Sequence, residues 1–265
     1  MLFRSGPREI ADLFPLADTS DLLAGFYVPQ DGRVNPVDAT MSLAKGARQR
    51  GVTIAEGVSV ENVIVHAGRV AGVRTDRGDV ECEYVVNCAG MWARQLGERN
   101  GGVIPLQAAE HYYLITEPIP DLPRDMPVLE DPGFYGYYRE EGGGLMVGLF
   151  EPEAAAWQLD GIPADGSFLD LPPDWERMAP FLERAMSRVP ITSRVGIRKF
   201  FCGPESFTPD LKPIVGEAPQ LDGYFVAAGL NSIGILTGGG MGRALAHWIM
   251  HGTPDRKSTR LNSSH

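Results

Sequence analysis

Apolar positions change period several times along this chain, and those changes divide it. Residues 1–34 carry little regular pattern, although Phe26-Tyr27-Val28-Pro29-Gln30-Asp31-Gly32-Arg33 reads as a strand running into a turn. A helix follows: Asn35 is placed to cap it, Pro36 suits its first position and Asp38 favours its positive end. Leu43, Ala44 and Ala47 hold helical spacing until Gly51 stops it, and Val52-Thr53-Ile54 predicts a short strand. From Val58 to Val86 apolar and polar residues alternate, with turns at Ala67-Gly68-Arg69 and Arg77-Gly78-Asp79. This period of two predicts a small β-meander that feeds a strand ending at Asn87-Cys88-Ala89-Gly90.

From about Gly102 to Pro190 the texture shifts to short aromatic strands with proline-bearing connections. His111–Thr116, Gly136–Arg139 and Leu145–Phe150 alternate as strands, the last following Gly142-Gly143-Gly144. Asp174 to Arg188 predicts a helix capped by Asp174, with Trp175, Met178, Phe181, Leu182 and Met186 on its buried stripe and Pro190 at its end. Gly196–Phe201 is then expected to return to the first domain. A second apolar strand, Tyr224-Phe225-Val226-Ala227-Ala228-Gly229, again ends at Ala-Gly, and Gly238–Gly242 leads into a last helix from about Gly240 to His251. A small residue at a strand tip lets a ligand approach the backbone, which is where open α/β sheets bind nucleotides.

The expected class is α/β (α+β). It comprises a partial doubly wound nucleotide-binding domain at 1–103, an inserted antiparallel domain at 104–190, a second segment of the first domain at 191–252, and a polar tail at 253–265 expected to be disordered.

Thirty-four acidic against twenty-four basic residues give a formal charge of −10 without a basic cluster, which argues against nucleic acid as a partner. Cys82, Cys88 and Cys202 lack metal-ligand spacing and read as reduced thiols in a cytoplasmic setting. No apolar run approaches the roughly 20 residues that span a bilayer. No Gly-x-Gly-x-x-Gly loop opens the chain, so the chain reads as cut at its start. That absence disfavours an NAD-linked enzyme. It also supports a rival expectation, a non-catalytic fragment that holds a dinucleotide weakly or not at all when isolated.

The order of elements resembles the D-amino-acid-oxidase-like flavoprotein superfamily, in its dimethylglycine/sarcosine dehydrogenase branch. The residues that carry it are Gly32-Arg33-Val34-Asn35-Pro36, Val85–Trp92, Glu110-His111-Tyr112-Tyr113, Tyr137-Tyr138-Arg139-Glu140, Gly148-Leu149-Phe150-Glu151-Pro152, Gly196-Ile197-Arg198-Lys199, Gly203–Asp210 and Tyr224–Gly234. Leu236 stands where the similar small sarcosine oxidases carry lysine, which favours the dehydrogenase branch.

The resemblance implies FAD as cofactor and a small secondary or tertiary amine such as an N-methylated glycine as substrate. It also implies an electron acceptor, oxygen or an electron-transfer flavoprotein, in the intact enzyme. Implied cofactor contacts are Val60, Cys88, Ala89, Gly90, Trp92, Gly229, Asn231, Ser232, Gly234 and Ile235. His111 is the implied catalytic residue over the flavin face, with Tyr137 or Tyr138 beside it. Adjacent strand residues face opposite ways, so only one tyrosine can share its side. The Tyr-x-Arg spacing favours Tyr137. Arg139 and Arg198 are candidates for a substrate carboxylate, which guanidinium binds in two parallel hydrogen bonds.

Overall fold

In the computed structural model, which describes residues 3–166 and 168–255, the chain begins with β1 (Phe3–Ser5), α1 (Pro7–Leu13), β2 (Gly25–Tyr27) and α2 (Pro36–Arg48). The meander follows as β3 (Val60–His66), β4 (Arg69–Thr75) and β5 (Gly78–Glu81), then β6 (Val85–Asn87) and α3 (Ala93–Glu98). Next come β7 (Gln107–Thr116), β8 (Leu129–Asp131), β9 (Gly136–Glu141), β10 (Gly144–Leu149) and α4 (Trp175–Arg188). The chain closes with β11 (Ile197–Phe207), β12 (Ile214–Glu217), β13 (Tyr224–Ala228) and α5 (Gly234–His251). The polar run Arg256–His265, read as an appendage, lies outside the described residues. No helix among the described residues is long and apolar enough to cross a membrane.

Two compact units emerge, each with its own core. Of the described residues, the first comprises 3–34, 110–155 and 168–204, and the second 35–109, 156–166 and 205–255. This differs from the expected boundaries at four places: 3–34 and 191–204 join the antiparallel unit, and 104–109 and 156–166 join the other. Residues 3–34 belong with the antiparallel sheet because Phe14 sits in its core and Arg188 ties them down. Arg188 is 3% exposed, donates to the Asp18 carbonyl and pairs with both Asp21 and Asp131 at 2.6 Å. The segment from Gly196 on belongs to the same unit as far as Pro204, since β11 is a strand of its sheet rather than a return to the other domain.

The sheet of the first unit has the order β11-β7-β10-β9-β8, with β10 antiparallel to both β7 and β9. Gly142 and Gly143, both at positive φ, close the β9–β10 hairpin in the conformation whose twist matches the strands. One face buries Tyr112, Leu114, Tyr138, Leu145, Val147 and Leu149 against Met178, Leu182 and Ala185 of α4. Burying Met178 or Leu182 contributes about 1.5 to 3 kcal/mol each. Asp174 caps α4 as expected, accepting from Arg177 N–H at 2.9 Å. Trp175, assigned to the buried stripe, is instead 49% exposed and lies on Phe200 at 4.2 Å. Being the first residue of the helix, it precedes the turns that the sheet covers.

In the second unit, β3, β4 and β5 form the predicted antiparallel meander, with Ala67 and Gly68 at positive φ in the first turn. A separate sheet has the order β12-β13-β6, in which β13 and β6 run parallel. The core gathers Val63, Val70, Ala93, Ile104, Leu106, Leu221, Tyr224, Val226 and Ala228. Asn35 caps α2 through Val37 N–H and Asp38 N–H, at 2.9 and 3.2 Å, yet no residue of α2 is buried.

Val52-Thr53-Ile54 forms no strand, because among the described residues no edge pairs with it and an isolated extended segment leaves its backbone groups to water. The last helix begins at Gly234, six residues before the expected start, so the run Gly238–Gly242 lies inside it. Asn231 and Ser232, at φ 49° and 67°, turn the chain sharply after β13, and the helix propagates at once.

Candidate functional site

The two Ala-Gly segments are neighbours in one sheet of the second unit. Tyr224 pairs with Val85, Phe225 with Val86 and Val226 with Asn87 in parallel, so both strands end on the same side. Asn87, 2% exposed, sets the geometry of the first tip. Its amide donates to the Ala93 carbonyl at 3.0 Å and to the Tyr224 hydroxyl at 2.8 Å, and its carbonyl accepts from Ala89 N–H at 3.1 Å. Burial pushes the Tyr224 hydroxyl above its ordinary pKa, keeping it neutral as an acceptor. No sequence reading gave Asn87 a role, although a polar residue interrupting Val-Val-Asn-Cys-Ala was a usable signal.

Beyond Asn87 the tip is open. Cys88 and Gly90 are exposed and Ala89 half-buried. Gly90 has φ 56°, and a side-chain carbon added there would meet nothing within 4 Å. Trp92 engages its indole N–H with the Pro163 carbonyl at 2.8 Å, a structural contact. Val60, exposed, opens β3 opposite Thr75.

At the second tip, Gly229 has φ 63° and an added carbon would overlap Thr208 and stand 2.9 Å from Leu106, so close packing alone requires glycine. The Asn231 side chain accepts from Thr208 N–H at 2.9 Å and donates to the Gly229 carbonyl at 2.7 Å, while the Ser232 hydroxyl donates to Glu205. Both side chains therefore hold the turn. What they leave free is the start of α5, where Gly234 and Ile235 lie in a first turn with no side-chain cap. Uncapped first-turn amides and the helix dipole favour negative charge. Along α5, carbons added at Gly238, Gly239, Gly240 and Gly242 would also meet nothing within 4 Å. The open β6 tip and the uncapped, electropositive start of α5 fit a dinucleotide cofactor.

The first unit carries the titratable candidates. Strand alternation puts His111 and Tyr113 on the face opposite Tyr112 and Leu114. Tyr137 shares that face, and its hydroxyl stands 3.5 Å from His111 Nε2. Phe150 packs on both, at 4.9 Å from the His111 ring and 5.3 Å from Tyr137. Tyr113 lies on Phe201 at 4.7 Å. Tyr138 points into the core and is fully buried, its hydroxyl donating to the Ala185 carbonyl at 3.1 Å and raised in pKa by burial, so the structure does not bring it to His111.

Arg139, two residues beyond Tyr137 on the same face, pairs with Glu141 at 2.9 Å, and its buried Nε has no hydrogen-bond partner among the described residues. Arg198 is exposed, with its guanidinium near Gly142 at the end of the β9–β10 hairpin.

Phe150 and Gly148 were quoted only as part of a motif. Their placement follows once alternation along β10 is fixed by the buried Leu145, Val147 and Leu149. Behind Phe150, Glu151 is 2% exposed and paired with Arg177 at 2.9 Å, and Arg177 also holds Glu110 at 2.6 Å. Burial opposes the Arg177 charge, but its hydrogen bonds to Glu151, Tyr112 and Glu110 outweigh this and raise its pKa.

Residues 4–248 match the family described as FAD dependent oxidoreductase. Human mitochondrial sarcosine dehydrogenase is 40% identical over 255 residues, covering 94% of this chain and 28% of that protein. The mouse mitochondrial pyruvate dehydrogenase phosphatase regulatory subunit is also 40% identical, over 259 residues that cover 97% of this chain and 29% of that protein. The chain thus spans little more than a quarter of these relatives. The crystal structure of L-proline dehydrogenase from P. horikoshii matches with a TM-score of 0.81 and 24% identity, covering 96% of this chain and 66% of that one, which speaks for the fold. With nearly its whole length accounted for in this way, the chain belongs to the FAD dependent oxidoreductase family.

Proposed function

We propose that the intact protein oxidises a small secondary or tertiary amine of the N-methylglycine type. The observation that carries this reading is the His111–Tyr137 pair, 3.5 Å apart on the face of the antiparallel sheet opposite α4 and flanked by Phe150. When bound, FAD would accept the hydride from the carbon beside nitrogen. Its contacts would be the backbone at Ala89 and Gly90, the first turn of α5 at Gly234 and Ile235, and the glycine face of that helix.

The amine must be unprotonated to react, because its lone pair becomes the new C=N bond as the hydride leaves. His111, of a residue type that titrates near neutral pH, takes that proton, and the Tyr137 hydroxyl orients the ring. Water then adds to the iminium carbon, giving an aldehyde and an amine shorter by one carbon. Phe150 and Tyr113 supply apolar walls for the N-methyl groups. Arg139 is favoured over Arg198 for the substrate carboxylate because it stands two residues from Tyr137 on the same face. Glu141 would yield its place to the substrate there. Oxygen or an electron-transfer flavoprotein would take the electrons onward.

In the flavin-containing enzyme, His111→Ala is expected to lower kcat/KM by about 10²- to 10⁴-fold and to flatten the acid limb of its pH profile, while the flavin spectrum stays intact. Unchanged kinetics across pH would remove His111 from the mechanism. A second reading is a non-catalytic role, favoured by the equal similarity to a regulatory subunit. Anaerobic mixing with N-methylated glycines separates the two, since only the catalytic reading expects bleaching of the flavin.

A further inference from the structure

His111 and Tyr137 do not lie on adjacent strands. β10 runs between β7 and β9, and the register sets Tyr137, Gly148 and Tyr113 in one row across the three strands. Two strand spacings of about 4.8 Å separate the backbones of β7 and β9 by roughly 10 Å. A tyrosine standing upright from β9 could not approach the His111 ring. The Tyr137 ring instead lies flat over β10, and it can do so only because position 148 has no side chain. A carbon added to Gly148 would fall inside the ring, against its Cζ, Cε1 and hydroxyl oxygen. Gly148 is absent from the residues at positive φ, so its backbone is open to any residue. The three atoms such a carbon would meet first all belong to the Tyr137 ring.

We propose that Gly148 is a positioning residue, whose bare backbone is the seat that lets the Tyr137 hydroxyl reach His111. Phe150, just past the end of β10, closes the far side of that seat by packing on both rings. Any side chain at 148 lifts the phenol off β10 and opens the 3.5 Å contact. The placement itself is independent of catalysis. Its consequence for turnover rests on the role proposed above for His111.

The test is a double-mutant cycle in the full 265-residue chain, using Gly148→Ala, Tyr137→Phe, Tyr137→Ala and their combinations. Urea unfolding and the ¹⁵N resonances of His111 are the readouts. Gly148→Ala alone is expected to lower the urea midpoint by about 1 M, the overpacking effect, and most of that loss should vanish in the Tyr137→Ala background, where the ring is gone. The His111 Nε2 resonance should shift with Gly148→Ala and with Tyr137→Phe, and adding Gly148→Ala to Tyr137→Phe should shift it no further.

A destabilisation by Gly148→Ala that is equal with and without the Tyr137 ring, or a His111 signal indifferent to it, overturns the proposal. If Gly148→Ala prevents folding altogether, the Gly148→Ala/Tyr137→Ala pair decides: a folded pair supports the seat, and an unfolded one overturns it. In the flavin-containing enzyme, Gly148→Ala should lower kcat about tenfold or more with little change in KM. Unchanged kcat beside an intact cycle would leave the seat standing and remove the catalytic reading.

Discussion

Replacing Asn87 by alanine isolates what shapes the β6 tip. The side chain is 2% exposed and makes three hydrogen bonds, with Ala93 O, Tyr224 Oη and Ala89 N. Truncation removes all three and leaves the Ala93 carbonyl and Tyr224 hydroxyl, in buried bonds, and the part-buried Ala89 amide without that partner. At about 1 kcal/mol per bond the loss is about 3 kcal/mol, toward the upper end if water cannot enter. With a urea m-value of about 2 kcal/mol/M, the midpoint falls by about 1.5 M.

Tyr224→Phe removes one of the same bonds and should cost about 1 kcal/mol. Because that bond is shared, the double variant should be less destabilised than the sum by about 1 kcal/mol. Tryptophan fluorescence suits the measurement, since Trp92, Trp157 and Trp248 all lie in the second unit. An Asn87→Ala cost below about 0.5 kcal/mol, or strict additivity with Tyr224→Phe, would refute the reasoning that this network holds the tip.

The strand-tip glycines should respond differently to alanine in the isolated chain. Gly90→Ala meets only the left-handed backbone penalty of about 1 to 2 kcal/mol, whereas Gly229→Ala adds overlap with Thr208 and Leu106 and should cost more, as urea midpoints will show. At low pH the first unit should loosen before the second. Glu140 is held below its ordinary 4.5 by the Gly143 N–H and by Arg33, and Asp21 below 3.8 by its hydrogen bond with Arg188. Stability from depressed carboxylates is present above their unfolded values and lost as pH falls through the folded ones, so hydrogen exchange below pH 4 should rise first in residues 3–34 and around α4. Exchange that begins in the second unit would contradict this. Arg188→Met removes the buried guanidinium that pairs with the half-buried Asp131 and should cost about 3 kcal/mol by thermal or urea unfolding.

How much was legible in the sequence depended on the range of the interaction that fixes each feature. The Asn35 and Asp174 caps, the Ala67-Gly68 and Gly142-Gly143 turns, the alternation through the meander and both Ala-Gly strand ends are settled within a few residues by hydrogen bonds and allowed dihedrals. They were readable from neighbouring residues alone. The pairing of those strand ends in parallel was legible only as an inference from matching sequence, and the register confirmed it.

Tertiary structure decided the rest. Alternation offered Tyr137 and Tyr138 as equal alternatives along β9 and the Tyr-x-Arg spacing favoured Tyr137, but it is the packing of α4 against one face that puts Tyr138 in the core and Tyr137 on the side of His111. The glycine run became helix despite its poor propensity, because the turn at Asn231 and Ser232 set the helix start upstream of it. Residues 1–34 carried little pattern, and their place depends on Phe14 in the sheet's core and on one buried guanidinium, Arg188, far away in sequence. Backbone sterics and local hydrogen bonds are written in adjacent residues. Which face is desolvated, and which ring can lie across a neighbouring strand, exists only once strands far apart in sequence have paired.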